Sequence, residues 1–343
     1  MITAKRFGPI LAAAAVAAFT AAAWAGETAL PALSGVPELK IEIEIDFADH
    51  SIVGLPWLGH IQGSEFVFYD IKLHQVFRTS LSGGNLHRVG GSGQGPGEYD
   101  GVQDLYLDND ATFVLDGRGR IIVYGRNGKV VRDMKPPLRF ERFIGRRGGL
   151  FYLEGRNSSP AAFHERIVSS WREDGEAKVL LKSPADVVAT KAADLNGKAM
   201  GGGHFTLSEP VFALFDEGFV EASGSLYRLR FFDAAGKTAG AWSFAAPKPE
   251  FSGPMFKPYN GQRSAYAVRA VFPLPSGLAV IGNYFRDGRP RIDVFDRQGR
   301  IRASYLLPLT WEAPYSRCQI ENGRLIYFSS QEGCRIYRIV SPL

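Results

Sequence analysis

Short apolar runs of Val, Ile, Leu, Phe and Tyr recur along the chain, separated by Gly, Asp and Asn. None carries the 3.6-residue spacing of an amphipathic helix. Alternation with period 2 dominates, so the predicted elements are β-strands. The clearest is "LKIEIEIDFA" (39–48). It sets Leu39, Ile41, Ile43, Ile45 and Phe47 on one face and Lys40, Glu42, Glu44 and Asp46 on the other.

The strands are organised in repeats. Similar units occupy 65–89, 112–134, 150–181, 219–244, 278–307 and 325–340. Each has an apolar strand, a polar break, an alternating strand and a glycine turn, and the first five add another strand. The turn glycines Gly84, Gly128, Gly175, Gly236 and Gly299 are 44, 47, 61 and 63 residues apart. A unit of this length built from four short strands is a propeller blade. The sixth unit stops after its third strand, and segment 39–48 is the missing fourth. Left unpaired, that segment would be an exposed edge prone to aggregation. The predicted fold class is therefore all-β: a six-bladed β-propeller over 39–343, its last blade closed by the N-terminal strand.

The segment "DLYLDNDATFVLDGRGRIIVYGRNGKVV" resembles an NHL-type propeller repeat. The run "GSGQGPGEY" (91–99) resembles a signature of exported bacterial six-bladed propeller proteins. The resemblance spans nearly all of 39–343 and implies fold and export, with no particular activity. The fourth and fifth units are longer than the regular pattern.

Residues 1–25 have the form of a cleaved export signal. Lys5 and Arg6 precede "PILAAAAVAAFTAAA", and Ala23-Trp24-Ala25 has the small-x-small form of a cleavage site. Segment 26–38 then reads as a linker. A periplasmic or secreted location follows. No later apolar stretch approaches the roughly 20 residues of a membrane span. The net charge is +5 and falls to +3 without the leader, with basic residues dispersed along the chain. Nucleic acid is thus not an expected partner. Cys318 and Cys334 are either a disulfide, which an oxidising compartment permits, or two buried thiols in neighbouring strands. A single closed unit is expected to be a monomer.

Propeller topology assigns candidate residues to the channel mouth. Arg142, Arg269 and Arg317 precede the turn glycines Gly149, Gly277 and Gly323 by similar intervals. They stand at similar heights in three inner strands, with His60 and Asp104 near the same place in two more. Three guanidiniums around a mouth suit a carboxylate, sulfate or phosphate; the alternative is pairing with carboxylates at the blade ends. Asp70, Asp116, Glu154, Glu221, Asn283 and Ser329 end the second strands. Such residues commonly cap their own turns. Asp70, Asp104, Asp116 and Asn283 are the alternative ligands for Ca2+.

Two long connections, about 182–213 and 246–270, carry His204, Tyr259 and Arg263, residue types suited to a sugar, an aromatic metabolite or a protein partner. The glycine-rich stretch 90–101 reads as the crossing from the first blade to the second, with Glu98 and Tyr99 delivered toward the mouth.

No paired histidines, nucleophile elbow, phosphate loop or EF-hand pattern occurs. The chain therefore reads as a binding module for an anionic or sugar-like ligand or a cell-envelope protein, with no cofactor expected. The alternative is a Ca2+-dependent hydrolase or lyase of the lactonase-like propeller type, in which the metal polarises a carbonyl and activates water. A scaffold within an envelope complex is a third reading.

Overall fold

The structure is a computed structural model. It describes residues 28–47, 54–81, 84–109, 111–157, 165–173, 175–184, 186–193, 199–223, 226–245, 268–286, 289–309, 317–329 and 333–340. Six four-stranded antiparallel sheets follow one another around a ring. From inner to outer strand, blade 1 is Pro56–Gln62, Glu65–Asp70, Gln75–Ser80 and His87–Val89. Blade 2 is Val102–Asp108, Ala111–Asp116, Ile121–Tyr124 and Val130–Met134. Blade 3 is Arg142–Arg147, Leu150–Arg156, Glu165–Trp171 and Lys178–Pro184. Blade 4 is Val211–Phe215, Gly218–Ala222, Arg228–Phe232 and Thr238–Ala245. Blade 5 is Val268–Leu274, Gly277–Arg286, Arg289–Asp296 and Ile301–Leu306. Blade 6 is Arg317–Glu321, Arg324–Ser329 and Gly333–Ile339, completed by Ile41–Asp46 from the N-terminus. Each inner strand touches the next, and that of blade 6 touches that of blade 1, so the ring is closed.

Apolar side chains on successive blades meet face to face. Leu58, Val67 and Val76 of blade 1 pack with Leu105, Leu107 and Val114 of blade 2, and five comparable clusters accompany this one. The strict alternation of the N-terminal strand is broken. A register shift between Ile43 and Ile45 turns Ile43 out, and it is 60% exposed while Ile45 and Phe47 stay buried. A bulge costs one inward position and adds twist to an outer strand.

The segment expected as a linker is bonded to the rim. Thr28–Ala29 pairs parallel with the outer strand of blade 4. Leu39 N–H donates to Leu306 C=O of blade 5 (2.8 Å), and Leu306 N–H to Pro37 C=O (2.8 Å). The chain then becomes the outer strand of blade 6. This strap thus crosses three blades before the ring begins. The buried Arg291 ties it down, donating to Pro31 C=O (2.5 Å), to Ser304 and to Asp293. Asp293 also accepts from Tyr227 of blade 4 (2.7 Å).

The possible disulfide is not formed: Cys318 and Cys334 are free. Cys318 pairs with Tyr327, and Cys334 with Phe328, on opposite sides of the same strand. Two strand spacings, about 10 Å, separate them, beyond the roughly 7 Å that a disulfide can bridge. Burial pushes both thiols up, so neither is readily ionised.

The long connection after blade 3 forms a hairpin of its own, Asp186–Ala193 with Ala199–Ser208. It emerges at the end of the ring where inner strands begin.

Candidate functional site

Backbone register gathers the three predicted arginines at one end of the channel. Arg142 opens the inner strand of blade 3 opposite Glu154, and Arg317 opens that of blade 6 opposite Phe328. Arg269 is the second residue of the blade 5 inner strand. The Arg142 side chain is exposed, its guanidinium 3.9 Å from Glu154. This end also carries the hairpin with His204, which pairs opposite Ala189. Tyr259 and Arg263 lie outside the described residues.

His60 and Asp104 are lower and serve the walls. Leu107 N–H donates to His60 Nδ1 (3.2 Å), so the proton sits on Nε2. The ring lies against Tyr106, centroids 4.7 Å apart. Burial takes its pKa down to about 4, partly offset by Asp108, so the imidazole is neutral at pH 7. Phe143 N–H donates to Asp104 (2.7 Å), Arg146 N–H to Tyr106 Oη (3.2 Å), and Asn109 N–H to Gln62 Oε1 (2.5 Å). Inner strands present unpaired N–H groups toward the channel, and side chains of the preceding blade accept them. His60 is therefore a mid-channel staple, which corrects its placement at the mouth.

The proposed Ca2+ set does not assemble. Asp70 is fully buried and accepts four backbone N–H groups, from Gly54 (2.5 Å), Leu55 (2.9 Å), Lys72 (3.0 Å) and Leu73 (3.0 Å). Asp116, also buried, accepts from Arg118 N–H (3.0 Å) and Arg120 N–H (2.8 Å) and pairs with the Arg120 guanidinium (2.8 Å). Asn283 falls within a register irregularity in the second strand of blade 5. Ca2+ needs about six to eight converging oxygens, and these carboxylates are spent on backbone donors. Among the described residues no group of three His, Cys, Asp or Glu side chains is placed to hold a metal.

The glycine-rich crossing also departs from expectation at Tyr99. Its side chain is fully buried between blades 1 and 2. The hydroxyl accepts from Val76 N–H (2.8 Å) and Gln75 Nε2 (2.8 Å) and donates to Val89 C=O (3.3 Å). Burial raises its pKa to about 12. Tyr124 donates to Gly97 C=O (2.9 Å), and a Cβ at Gly90, where φ is +60°, would collide with the Tyr124 ring. Tyr99 is thus a clasp between blades. Glu98 is exposed, its carboxylate accepting Gly95 N–H (2.9 Å). Tyr99→Phe strands a buried N–H and is expected to cost about 2 kcal/mol, read as a lowered urea midpoint with unchanged m-value.

A charge cluster beside the mouth had no sequence signal. Arg166, 6% exposed, contacts Glu141 (2.5 Å), Glu154 (3.6 Å) and Glu209. Arg156 joins Glu141 (3.1 Å) and Glu209 (3.0 Å). One guanidinium thereby links the crossing into blade 3, that blade's second strand and the residue that follows the hairpin. Glu141 and Glu154 meet across one hairpin of blade 3, but Glu209 lies beyond that blade in sequence, so only the folded chain brings all three together.

At the opposite end of the channel, burial raises Glu321 to about 7, while a hydrogen bond from Gln319 Nε2 (3.0 Å) pulls it down. The native state therefore holds a proton that the unfolded chain releases between about pH 4.5 and 7. Its stabilisation is complete below the lower value and lost as pH rises through the upper one. His60 acts in the opposite sense between about 4 and 6.5. The expected result is that Glu321→Gln removes a stability loss over pH 5–7.5, seen as the difference between wild-type and variant melting curves. Parallel curves would contradict it.

A groove of about 780 Å³ lies on the outer rim, away from the channel, beside the strap and blade 6. Lys40 and Arg335 are among its lining residues, and Arg335 is taken up by Asp46 (2.8 Å).

No protein-family model matches the chain, and no curated protein matches it by sequence. Solved structures resemble it in fold. A presumed exported protein of Bacteroides fragilis NCTC 9343 is 14% identical, with a TM-score of 0.54 over 92% of this chain and 98% of that one. A member of the DUF4221 family from Bacteroides vulgatus ATCC 8482 is 12% identical, with a TM-score of 0.55 over 88% and 98%. A luciferin-regenerating enzyme is 10% identical, with a TM-score of 0.50 over 88% and 96%. At these identities the likeness is one of fold alone. Among the described residues no helix is long and apolar enough to cross a membrane.

Proposed function

We propose that this chain is an exported binding module that takes an anionic ligand at the channel mouth. The observation that carries the reading is the register of Arg142, Arg269 and Arg317, which stand first or second in three inner strands at one end of the ring. Guanidinium donors suit the planar or tetrahedral oxygens of carboxylate, sulfate or phosphate. The exposed Arg142 supports it: its guanidinium stands 3.9 Å from the Glu154 carboxylate buried beneath it, whereas Arg156 and Arg166 beside the mouth are held by Glu141 and Glu209. Export is supported by the leader-like segment 1–25.

The test is thermal stabilisation by sulfate at constant ionic strength. Binding to the native state raises the melting temperature with the logarithm of the ligand excess over Kd. Wild type is expected to gain several degrees at tens of millimolar sulfate, and the triple variant Arg142→Ala/Arg269→Ala/Arg317→Ala much less. Equal gains in both would refute the site.

A further inference from the structure

Asp70, Asp116, Glu154 and Glu221 stand at or near the mouth ends of the second strands of blades 1 to 4. All four are buried, at most 2% exposed. Three have their oxygens occupied. Asp70 accepts four backbone N–H groups. Asp116 accepts two and pairs with the Arg120 guanidinium. Glu221 takes the Arg230 guanidinium at 2.6 Å. Glu154 differs. Its neighbouring cations are Arg166 at 3.6 Å and Arg142 at 3.9 Å, both beyond hydrogen-bond distance. No described residue donates a hydrogen bond to it. Arg166 gives its terminal nitrogens to Glu141 and Glu209 instead. Leaving the lone pairs of a buried carboxylate unfilled is costly unless a donor comes from elsewhere. Arg142 connects this acceptor to solvent. Its side chain is half exposed, and it stands directly opposite Glu154 in the register of blade 3, so the two side chains share a face. An anion gathered by Arg142 therefore arrives beside an unfilled acceptor.

We infer that Glu154 is a specificity-determining residue of the mouth site and that it selects an oxyanion bearing its own hydroxyl, of the hydrogen phosphate class. The charged oxygens of the ligand take the Arg142 guanidinium, and its O–H donates to the Glu154 carboxylate. The inference rests on the anion-binding reading and adds which anion is preferred. A carboxylate only accepts hydrogen bonds. Sulfate, which has no proton to offer at neutral pH, meets Glu154 oxygen to oxygen and is held by guanidiniums alone. An ammonium donor fits less well, because it would lie close to both Arg142 and Arg166 and be repelled by them. A neutral hydroxyl on an anion satisfies the acceptor and the guanidinium together.

The probes are inorganic phosphate, sulfate and methyl phosphate, titrated calorimetrically into the mature protein at about pH 7.5 and constant ionic strength. At that pH inorganic phosphate keeps an O–H, whereas methyl phosphate is above its second ionisation, near pH 6, and has lost it. Phosphate is expected to bind at least tenfold more tightly than sulfate, since the acceptor is left unpaired and facing a like charge in the sulfate complex. Methyl phosphate is expected to fall with sulfate. Glu154→Gln is expected to collapse the preference, chiefly by tightening sulfate. A residue that merely positioned Arg142 would move all three affinities together, and that outcome overturns the role given to Glu154. Sulfate or methyl phosphate binding as tightly as phosphate to wild type overturns the hydroxyl-bearing ligand and leaves the anion site intact. Binding of none of the three overturns both readings. Should Glu154→Gln fold poorly, a phosphate-soaked crystal of the wild type decides the contact. A phosphate oxygen is expected within hydrogen-bond distance of the Glu154 carboxylate, and a phosphate seated on guanidiniums alone overturns the inference.

Discussion

Asp70→Ala is expected to cost about 4 kcal/mol, seen as a large fall in the urea midpoint. The carboxylate is fully buried and accepts four backbone N–H groups. Gly54 and Leu55 belong to the chain entering blade 1 after the closing strand, and Lys72 and Leu73 belong to that blade's own turn. Removing the acceptor leaves all four donors to find water in a turn that admits little. Each buried orphan costs about 1–3 kcal/mol, and partial rehydration brings the sum down. Asp70→Asn keeps one oxygen and turns an NH2 toward the other pair, so it is expected to lose roughly half as much. A loss below about 1 kcal/mol for the alanine variant would mean the carboxylate is not committed to the turn. It would then be available to a ligand.

Arg166→Met is expected to cost 3–5 kcal/mol, about the penalty for stranding buried charge. Three glutamates converge on this guanidinium, and Glu154 is 2% exposed. Burial already holds the Glu154 carboxyl above its ordinary range, while Arg142 and Arg166 pull it down. Without Arg166, Glu154 rises further and stays protonated more readily in the native state than in the unfolded chain. The loss should therefore shrink as pH falls toward the carboxylate range. Adding Glu154→Gln to Arg166→Met removes one of the stranded charges and is expected to recover a substantial part of the stability. If Arg166→Met is as stable as wild type at pH 8, the cluster contributes no net stabilisation. The same variant should loosen the root of the hairpin, since Glu209 follows its second strand directly. Faster amide exchange at 199–208 is the readout.

The fold was legible because propeller blades are local. Each four-stranded unit is contiguous, so its alternation, polar break and glycine turn all fall within one repeat. The closing strand was legible through its exposed alternation, although the bulge that expels Ile43 was not. Bulges follow from twist between strands, which a single strand's pattern does not carry. The heights of Arg142, Arg269 and Arg317 could be counted back from the strand-ending glycines, because inner strands are short and alike in length. What the pattern hid depends on neighbouring blades. Tyr99 looked like a residue delivered to a surface, yet its hydroxyl is consumed by Gln75 and Val76 of the preceding blade. His60 and Asp104 looked like mouth residues, yet they accept N–H groups from the next strand around. The rim strap hides for the same reason, since Thr28 finds its partner in Phe244.

The most direct measurement is anomalous diffraction from crystals of the mature protein soaked in selenate, a tetrahedral dianion with a strong scatterer. A selenium peak is predicted at the channel mouth, within hydrogen-bond distance of at least two guanidiniums among Arg142, Arg269 and Arg317. Peaks confined to the outer rim, with the mouth empty at saturating selenate, would contradict the assignment of this end of the channel as an anion site.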